Sequence, residues 1–241
     1  MTTPQPLAWP AEAEAALAAF FAQDHAGAVA VFDADETLWR GDVGEGLLQY
    51  LQAEGLLHTA EDAFARYEAL CAEDKRIGYP YATTVMAGLS DAHLRQICAG
   101  YFATHFAQRV YAPQQQLMQR LRAAGMTPWI VSASNQWIVE AGAPYLGIDP
   151  CHVVGVRLAL SGDRLSDRLI EPMTYREGKV AAIDQYIGQR PVLVAGDSLG
   201  DFEMLSVSTA LQLLINPKDS GPPAENIVSL ARERGWVQVH W

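Results

Sequence analysis

Lysine is scarce in this chain of 241 residues: it occurs only at positions 75, 179 and 218. A lysine at a motif position is therefore less apt to be there by chance. Basic residues as a whole are few, 17 against 28 acidic, and the formal net charge is −11. Such a field repels nucleic acid and anionic membrane, which excludes both as expected partners. It also disfavours a polyanionic substrate and suits a small, singly phosphorylated molecule, best of all one with a cationic end. Cysteine is scarce too. Cys71, Cys98 and Cys151 are odd in number, far apart and without metal-site spacing. The expectation is three reduced, buried thiols in a cytoplasmic protein. No apolar run reaches the roughly 18 residues of a membrane span. Residues 1–9 lack a basic stretch, and the alanine-rich segment after them is broken by Glu12 and Glu14. That segment reads as an amphipathic helix rather than a signal peptide.

What is present is a core. Half of the residues are hydrophobic, enough for one large domain or for a core with an insertion. Residues 28–32 (Ala-Val-Ala-Val-Phe) run unbroken into Asp33, with Asp35 and Thr37 following at alternate positions. An unbroken apolar run of this kind is the habit of a parallel-sheet strand buried on both faces. In open α/β sheets the C-terminal ends of the strands are where ligands bind. Two carboxylates this close repel one another and need a cation or hydrogen bonds in compensation.

Helical patterns occupy residues 10–23 and most of 41–112. In that second stretch Leu47, Leu48 and Leu51 recur at helical spacing in 43–53. Thr59 is a candidate cap for a helix to about 74, and Ser90 for one to about 108, with Pro80 and Gly88 punctuating the segment between. From residue 113 the pattern becomes alternating strand and helix. Further buried strands are expected at 127–132, 191–197 and 211–215, with an edge strand at 236–239. Residues 153–160 and 164–170 read as a hairpin around Ser161-Gly162-Asp163. The expected architecture is α/β: a three-layer, Rossmann-like parallel sheet formed by 1–40 and 112–241, with a helical cap inserted at 41–111.

Three expected strands end in Asp33, Ser132 and Asp197, and a helix opens beside Lys179. On a parallel sheet these ends converge. Carboxylates suit a divalent metal, whereas hydroxyl, ammonium and backbone N–H suit a phosphate. In these residues the chain resembles the haloacid dehalogenase superfamily of phosphohydrolases, whose four motifs are matched by Asp33-x-Asp35-x-Thr37, by Ser132, by Gly178-Lys179-Val180 and by Gly196-Asp197-Ser198-Leu199-Gly200-Asp201. The resemblance implies that Asp33 is the nucleophile that becomes an aspartyl-phosphate. It implies that Asp35 protonates the leaving oxygen and then deprotonates water, with Thr37 orienting it. Ser132 and Lys179 would hold the phosphoryl oxygens, together with the backbone at Ala133. Asp33, the Asp35 carbonyl, Asp197 and Asp201 would hold Mg²⁺, Asp201 directly or from behind. Asp35 separates phosphatases and phosphomutases from dehalogenases and ion pumps within the superfamily.

The position of the inserted helices resembles the phosphoserine phosphatase-like branch. Two segments, 39–45 and 73–81, are similar to its phosphorylcholine phosphatase members. The resemblance implies a phosphocholine- or phosphoethanolamine-like substrate met by Trp39, Asp42, Glu45, Tyr79 and Tyr81, since aromatic faces and carboxylates suit an ammonium. Arg40 and Arg76 are the alternative, as partners of a substrate carboxylate in a phosphoserine-type reaction. A phosphomutase would keep every catalytic residue. A phosphoacceptor signalling module would share Lys179 and the acidic strand end, but needs neither lid nor Asp35. Oligomeric state is not legible.

Overall fold

The computed structural model describes residues 7–218 and 226–241. Six parallel strands form one sheet, in the order β3-β2-β1-β6-β7-β8. They are β1 (Val29–Phe32), β2 (Thr127–Asn135), β3 (Val153–Val156), β6 (Leu193–Gly196), β7 (Leu211–Ile215) and β8 (Val237–Val239). β1 lies at the middle, paired with β2 on one side and β6 on the other. Its side chains alternate between two apolar layers, as the two-residue period of a strand demands. Ala30 and Phe32 join Ile130, Leu193, Ala195 and Leu213 on one face. Val31 joins Val131, Val194 and Leu214 on the other. α1 (Ala11–Phe21), α6 (Ala112–Ala123) and α7 (Gln136–Gly142) cover the first face. α8 (Glu177–Ala182), α9 (Phe202–Ser206) and α10 (Ile227–Arg234) cover the second. Burial on both faces explains why β1, β3 and β6 carry no polar alternation.

Between β1 and α6 the chain forms four α-helices: α2 (Val43–Ala53), α3 (Ala63–Glu73), α4 (Lys75–Thr84) and α5 (Asp91–His105). Asp42, Asp62 and Asp74 cap the first three, each accepting from a backbone N–H of the first turn. Leu47, Leu51, Leu94 and Phe102 join the apolar layer on the Phe32 face of the sheet. α2, α3 and α4 add a small core of their own around Leu48, Ala63 and Tyr67. No helix among the described residues is long and apolar enough to cross a membrane.

Several expectations are corrected. The expected strand at 153–160 is two strands. β3 stays in the main sheet beside β2, and β4 (Leu158–Ser161) pairs antiparallel with β5 (Arg164–Leu169) in a separate hairpin. The chain turns between them at Arg157, so one apolar run serves two sheets. Asp62, not Thr59, caps α3, and Thr59 Oγ1 accepts from Glu61 N at 3.3 Å just before it. α4 occupies the segment expected to be a break, with Pro80 inside it. Of the three free cysteines only Cys98 is buried; Cys71 is half-buried and Cys151 exposed.

Candidate active site

At the C-terminal edge of the sheet lies a cavity of about 540 Å³, between the ends of β1, β2 and β6 and the helices α2–α4. β1 delivers Asp33, whose N–H donates to the Ala195 carbonyl of β6 at 2.9 Å. α8 delivers Lys179, which is buried, with Nζ 2.5 Å from Asp33 Oδ1 and 2.6 Å from Asp201 Oδ1. The turn after β6 delivers Asp197 and Asp201. Asp201 Oδ2 accepts from the N–H groups of Asp197 and Ser198, both at 3.1 Å, which closes that turn. Gly196 makes this packing fit, since a Cβ there would stand 2.6 Å from Asp201 Cβ.

The electrostatics of the cluster are unbalanced. Carboxylate oxygens of Asp33, Asp197 and Asp201 lie within 4.8 Å of one another. One ammonium stands against three carboxylates. Burial, then the negative charge of Asp201, lifts the Asp33 carboxyl to about 7 from an ordinary 3.8, against the pull of Lys179. Burial, then Asp201 and Asp33, raises Asp197 well above its ordinary value. Burial by itself would lower Lys179, but Asp201 and Asp33 outweigh it and hold the ammonium charged. A hard cation with oxygen ligands fits such a donor set. The residues that fit it are Asp33, Asp197 and Asp201; the side chain of Asp35 lies outside that group.

Asp35 is held otherwise than expected. Its Oδ1 accepts from Trp39 Nε1 and from Val43 N, both at 2.8 Å, and its Oδ2 from Ser134 Oγ at 2.6 Å. Burial raises its pKa, and those three donors work against the rise. Thr37 was expected to orient Asp35. Its hydroxyl is fully buried and has no hydrogen-bond partner among the described residues. Its carbonyl accepts from Gln114 Nε2 at 2.9 Å, which pins the turn to α6. Glu36, between Asp35 and Thr37, has φ of +58°, a left-handed conformation rare outside glycine and often found at functional sites. Ser132 is buried within β2, which runs on to Asn135, its carbonyl accepting from the Thr174 hydroxyl; Ala133 follows on the cavity wall.

The other expected substrate residues divide. Asp42, Glu45 and Tyr79 line the cavity. Trp39 does not: it is fully buried, with its ring edge-on to Phe102 and its indole N–H spent on Asp35. Tyr81 does not either, because its hydroxyl donates to Glu61 at 2.9 Å away from the cavity. Arg40 and Arg76 are absent from the lining, and Arg76 pairs with Glu177 at 3.4 Å. The sequence reading missed Tyr67, which donates to Glu45 Oε1 at 3.1 Å, and Tyr175, whose ring stands edge-on to Tyr79 at 5.2 Å. It also missed Ser134, although that residue lies two positions beyond Ser132 in the polar strand end. All three lysines of the chain line the cavity, against seven carboxylates.

A model of the haloacid dehalogenase-like hydrolase family matches residues 30–206. The chain belongs to that family. It is 30% identical to phosphorylcholine phosphatase of Pseudomonas aeruginosa, over 96% of this chain and 90% of that protein. It is 25% identical to histidinol-phosphatase of Neisseria meningitidis serogroup C, over 88% and 98%. A crystal structure of a protein of unknown function from Bordetella pertussis Tohama I superposes with a TM-score of 0.72 at 21% identity, covering 88% of this chain and 97% of that one. The last likeness is one of fold. As a member of the family the chain is a hydrolase.

Proposed function

We propose that this hydrolase is a Mg²⁺-dependent phosphomonoesterase that works through an aspartyl-phosphate on Asp33. The observation that carries the reading is the cluster of buried Asp33, Lys179 and Asp201 with half-buried Asp197 at the end of β1. Asp33, Asp197 and Asp201 are the residues that would hold Mg²⁺. When bound, Mg²⁺ would neutralise charge on the phosphoryl oxygens. Asp33 attacks phosphorus as the bond to the leaving oxygen breaks, and the Asp35 proton passes to that oxygen, releasing an alcohol. Water then attacks the same phosphorus, Asp35 takes its proton, and inorganic phosphate leaves with Asp33 restored. Splitting one hard displacement into two in this way is the gain of a carboxylate nucleophile. Ser132, the Ala133 backbone and Lys179 bind phosphoryl oxygens, and α2–α5 serve as a cap that keeps bulk water from the intermediate.

The substrate we infer is a small phosphomonoester with a cationic end, of the phosphocholine or phosphoethanolamine kind. Three features support this class: the carboxylate excess of the lining, the Tyr67–Glu45 pair, and the half-buried Asp42 close enough to act on Tyr79. Both named relatives are phosphatases, and one of them is a phosphorylcholine phosphatase.

The test is turnover on a panel of phosphocholine, phosphoethanolamine, histidinol phosphate, phosphoserine and a sugar phosphate, with Mg²⁺ and with a chelator. Release of phosphate from the cationic esters that chelation stops and Mg²⁺ restores is the expected result. Full activity after exhaustive chelation, or none on any ester, would overturn the reading.

A further inference from the structure

We propose that Ser134 and Trp39, rather than Thr37, are the positioning residues of Asp35, and that Ser134 selects the carboxyl oxygen that exchanges a proton with the leaving group. The inference rests on the general-acid role given to Asp35 above. Oδ1 of Asp35 is engaged by two groups that only donate, the Trp39 indole N–H and the Val43 amide, both at 2.8 Å. Two fixed donors on one oxygen leave it no room to carry a proton. Oδ2 meets a single hydroxyl, that of Ser134, at 2.6 Å. A hydroxyl both donates and accepts, so Ser134 can stay bonded to Oδ2 whether or not that oxygen bears the proton. The working oxygen of Asp35 is therefore Oδ2.

The surroundings of the pair agree with a built arrangement. Ser134 comes from the end of β2, and Asp35 from the turn after β1. Gly44, in the first turn of α2, faces the Ser134 side chain: a Cβ there would stand 2.6 Å from Ser134 Oγ. The absence of a side chain at position 44 is what lets that hydroxyl reach Asp35. Trp39 is locked by burial and by Phe102, with ring centroids 5.1 Å apart. The Thr37 hydroxyl, without a partner among the described residues, has no hold on the carboxyl.

Leaving-group dependence separates positioning from a merely structural role. An alkyl phosphate needs its leaving oxygen protonated, whereas p-nitrophenyl phosphate expels an anion stable enough to leave unaided. Turnover, taken as kcat/KM so that it reports the steps up to departure of the leaving group and not the later water attack that Asp35 also assists, would be measured for phosphoethanolamine and p-nitrophenyl phosphate with Mg²⁺ in wild type, Ser134→Ala, Ser134→Thr, Gly44→Ala and Asp35→Asn. A general acid contributes about 100- to 10,000-fold, and a misplaced one loses part of that. Ser134→Ala is expected to lower the alkyl-to-aryl turnover ratio about ten- to one hundred-fold, with KM for both esters nearly unmoved. Ser134→Thr, which keeps the hydroxyl, should recover most of the ratio. Gly44→Ala should lower it in the same direction by displacing Ser134. An unchanged ratio in Ser134→Ala alongside a collapsed one in Asp35→Asn would overturn the positioning proposal and leave the general-acid reading standing. An unchanged ratio in Asp35→Asn itself would overturn the general-acid reading. Equal losses on both esters in Ser134→Ala would mark the residue as structural only, which also overturns the proposal.

Discussion

At the scale of the residue, Asp33 is a carboxyl kept under tension. Its folded pKa of about 7 stands above the ordinary 3.8, through burial first and the charge of Asp201 next. For an acid shifted upward, the folded chain binds the proton more tightly than the unfolded one. Stability therefore falls as pH rises through the window from about 4 to about 7, and the full penalty is present above it. Asp33→Asn removes that charge while leaving Lys179 paired with Asp201 at 2.6 Å. In metal-free protein the variant should melt higher than wild type above pH 7, on the order of 2–4 °C for each kcal/mol of repulsion relieved in a chain of this size. The advantage should fade as the pH is lowered towards 4. Melting curves across that range check it, and an advantage that grew on acidification would contradict the assignment. Turnover should be abolished in the same variant, since an amide is no nucleophile towards phosphorus. A more stable but inactive protein is the usual mark of a residue kept for function at the expense of the fold.

At the scale of the element, the strand ends determine which groups meet, and small residues determine how closely. Gly196 ends β6 with Asp201 packed against it. Gly196→Ala would push Asp201 away from Lys179, and overpacking of this kind costs about 1–3 kcal/mol. Denaturant midpoints should fall accordingly, and turnover should fall further than stability alone explains, because Lys179 loses a partner that fixes it. Unchanged turnover would mean that the 196–201 turn absorbs the added methyl without moving Lys179. The strands were legible in the sequence because β1, β6 and β7 are buried on both faces and read as short apolar runs bounded by aspartate or polar turns. Asp33, Lys179 and Asp197 were legible because each stands at or beside an element boundary, and Ser132 because the apolar run of β2 stops there, although the strand itself runs on to Asn135. α4 was not, since Pro80 and Gly88 read as punctuation of that segment. Within it Gly78 is the spot where α4 packs against Cys71 of α3, where a Cβ would collide with its sulfur. Tyr67 and Ser134 were missed because their partners, Glu45 and Asp35, lie 22 and 99 residues away. Only tertiary packing brings such pairs together. Trp39 was misassigned to the substrate for the same reason: its spacing from Asp35 allows either role, and burial against Phe102 decides it.

At the scale of the whole molecule, the net charge of −11 and the distribution of lysine act together. A chain this acidic slows the approach of any dianion. Its three lysines all line the cavity, two of them exposed at positions 75 and 218 and one buried at Lys179. Lys75 Nζ already sits 5.7 Å from the centre of the Tyr79 ring, so a substrate ammonium must share that ring or displace the lysine. Tyr67, Glu45 and Asp42 are then the groups that make the difference for a cation. One desolvated cation–π or charge-assisted contact is worth about 1–3 kcal/mol, which is roughly five- to one hundred-fold in catalytic efficiency. Phosphocholine should accordingly exceed a sugar phosphate in kcat/KM by that range. Glu45→Gln should erode the preference, and Tyr67→Phe should do so to a smaller degree, because it removes only the hydroxyl that steadies Glu45. Salt provides an independent reading. Screening weakens the long-range repulsion of a dianion that has no cationic end, but changes little for a substrate whose ammonium offsets part of the phosphate charge. Between low and about 0.3 M ionic strength, kcat/KM for the sugar phosphate should rise while that for phosphocholine stays flat or falls. Parallel salt responses, or an unchanged ranking of substrates in Glu45→Gln, would return Asp42, Glu45 and Tyr67 to the packing of the helices that carry them.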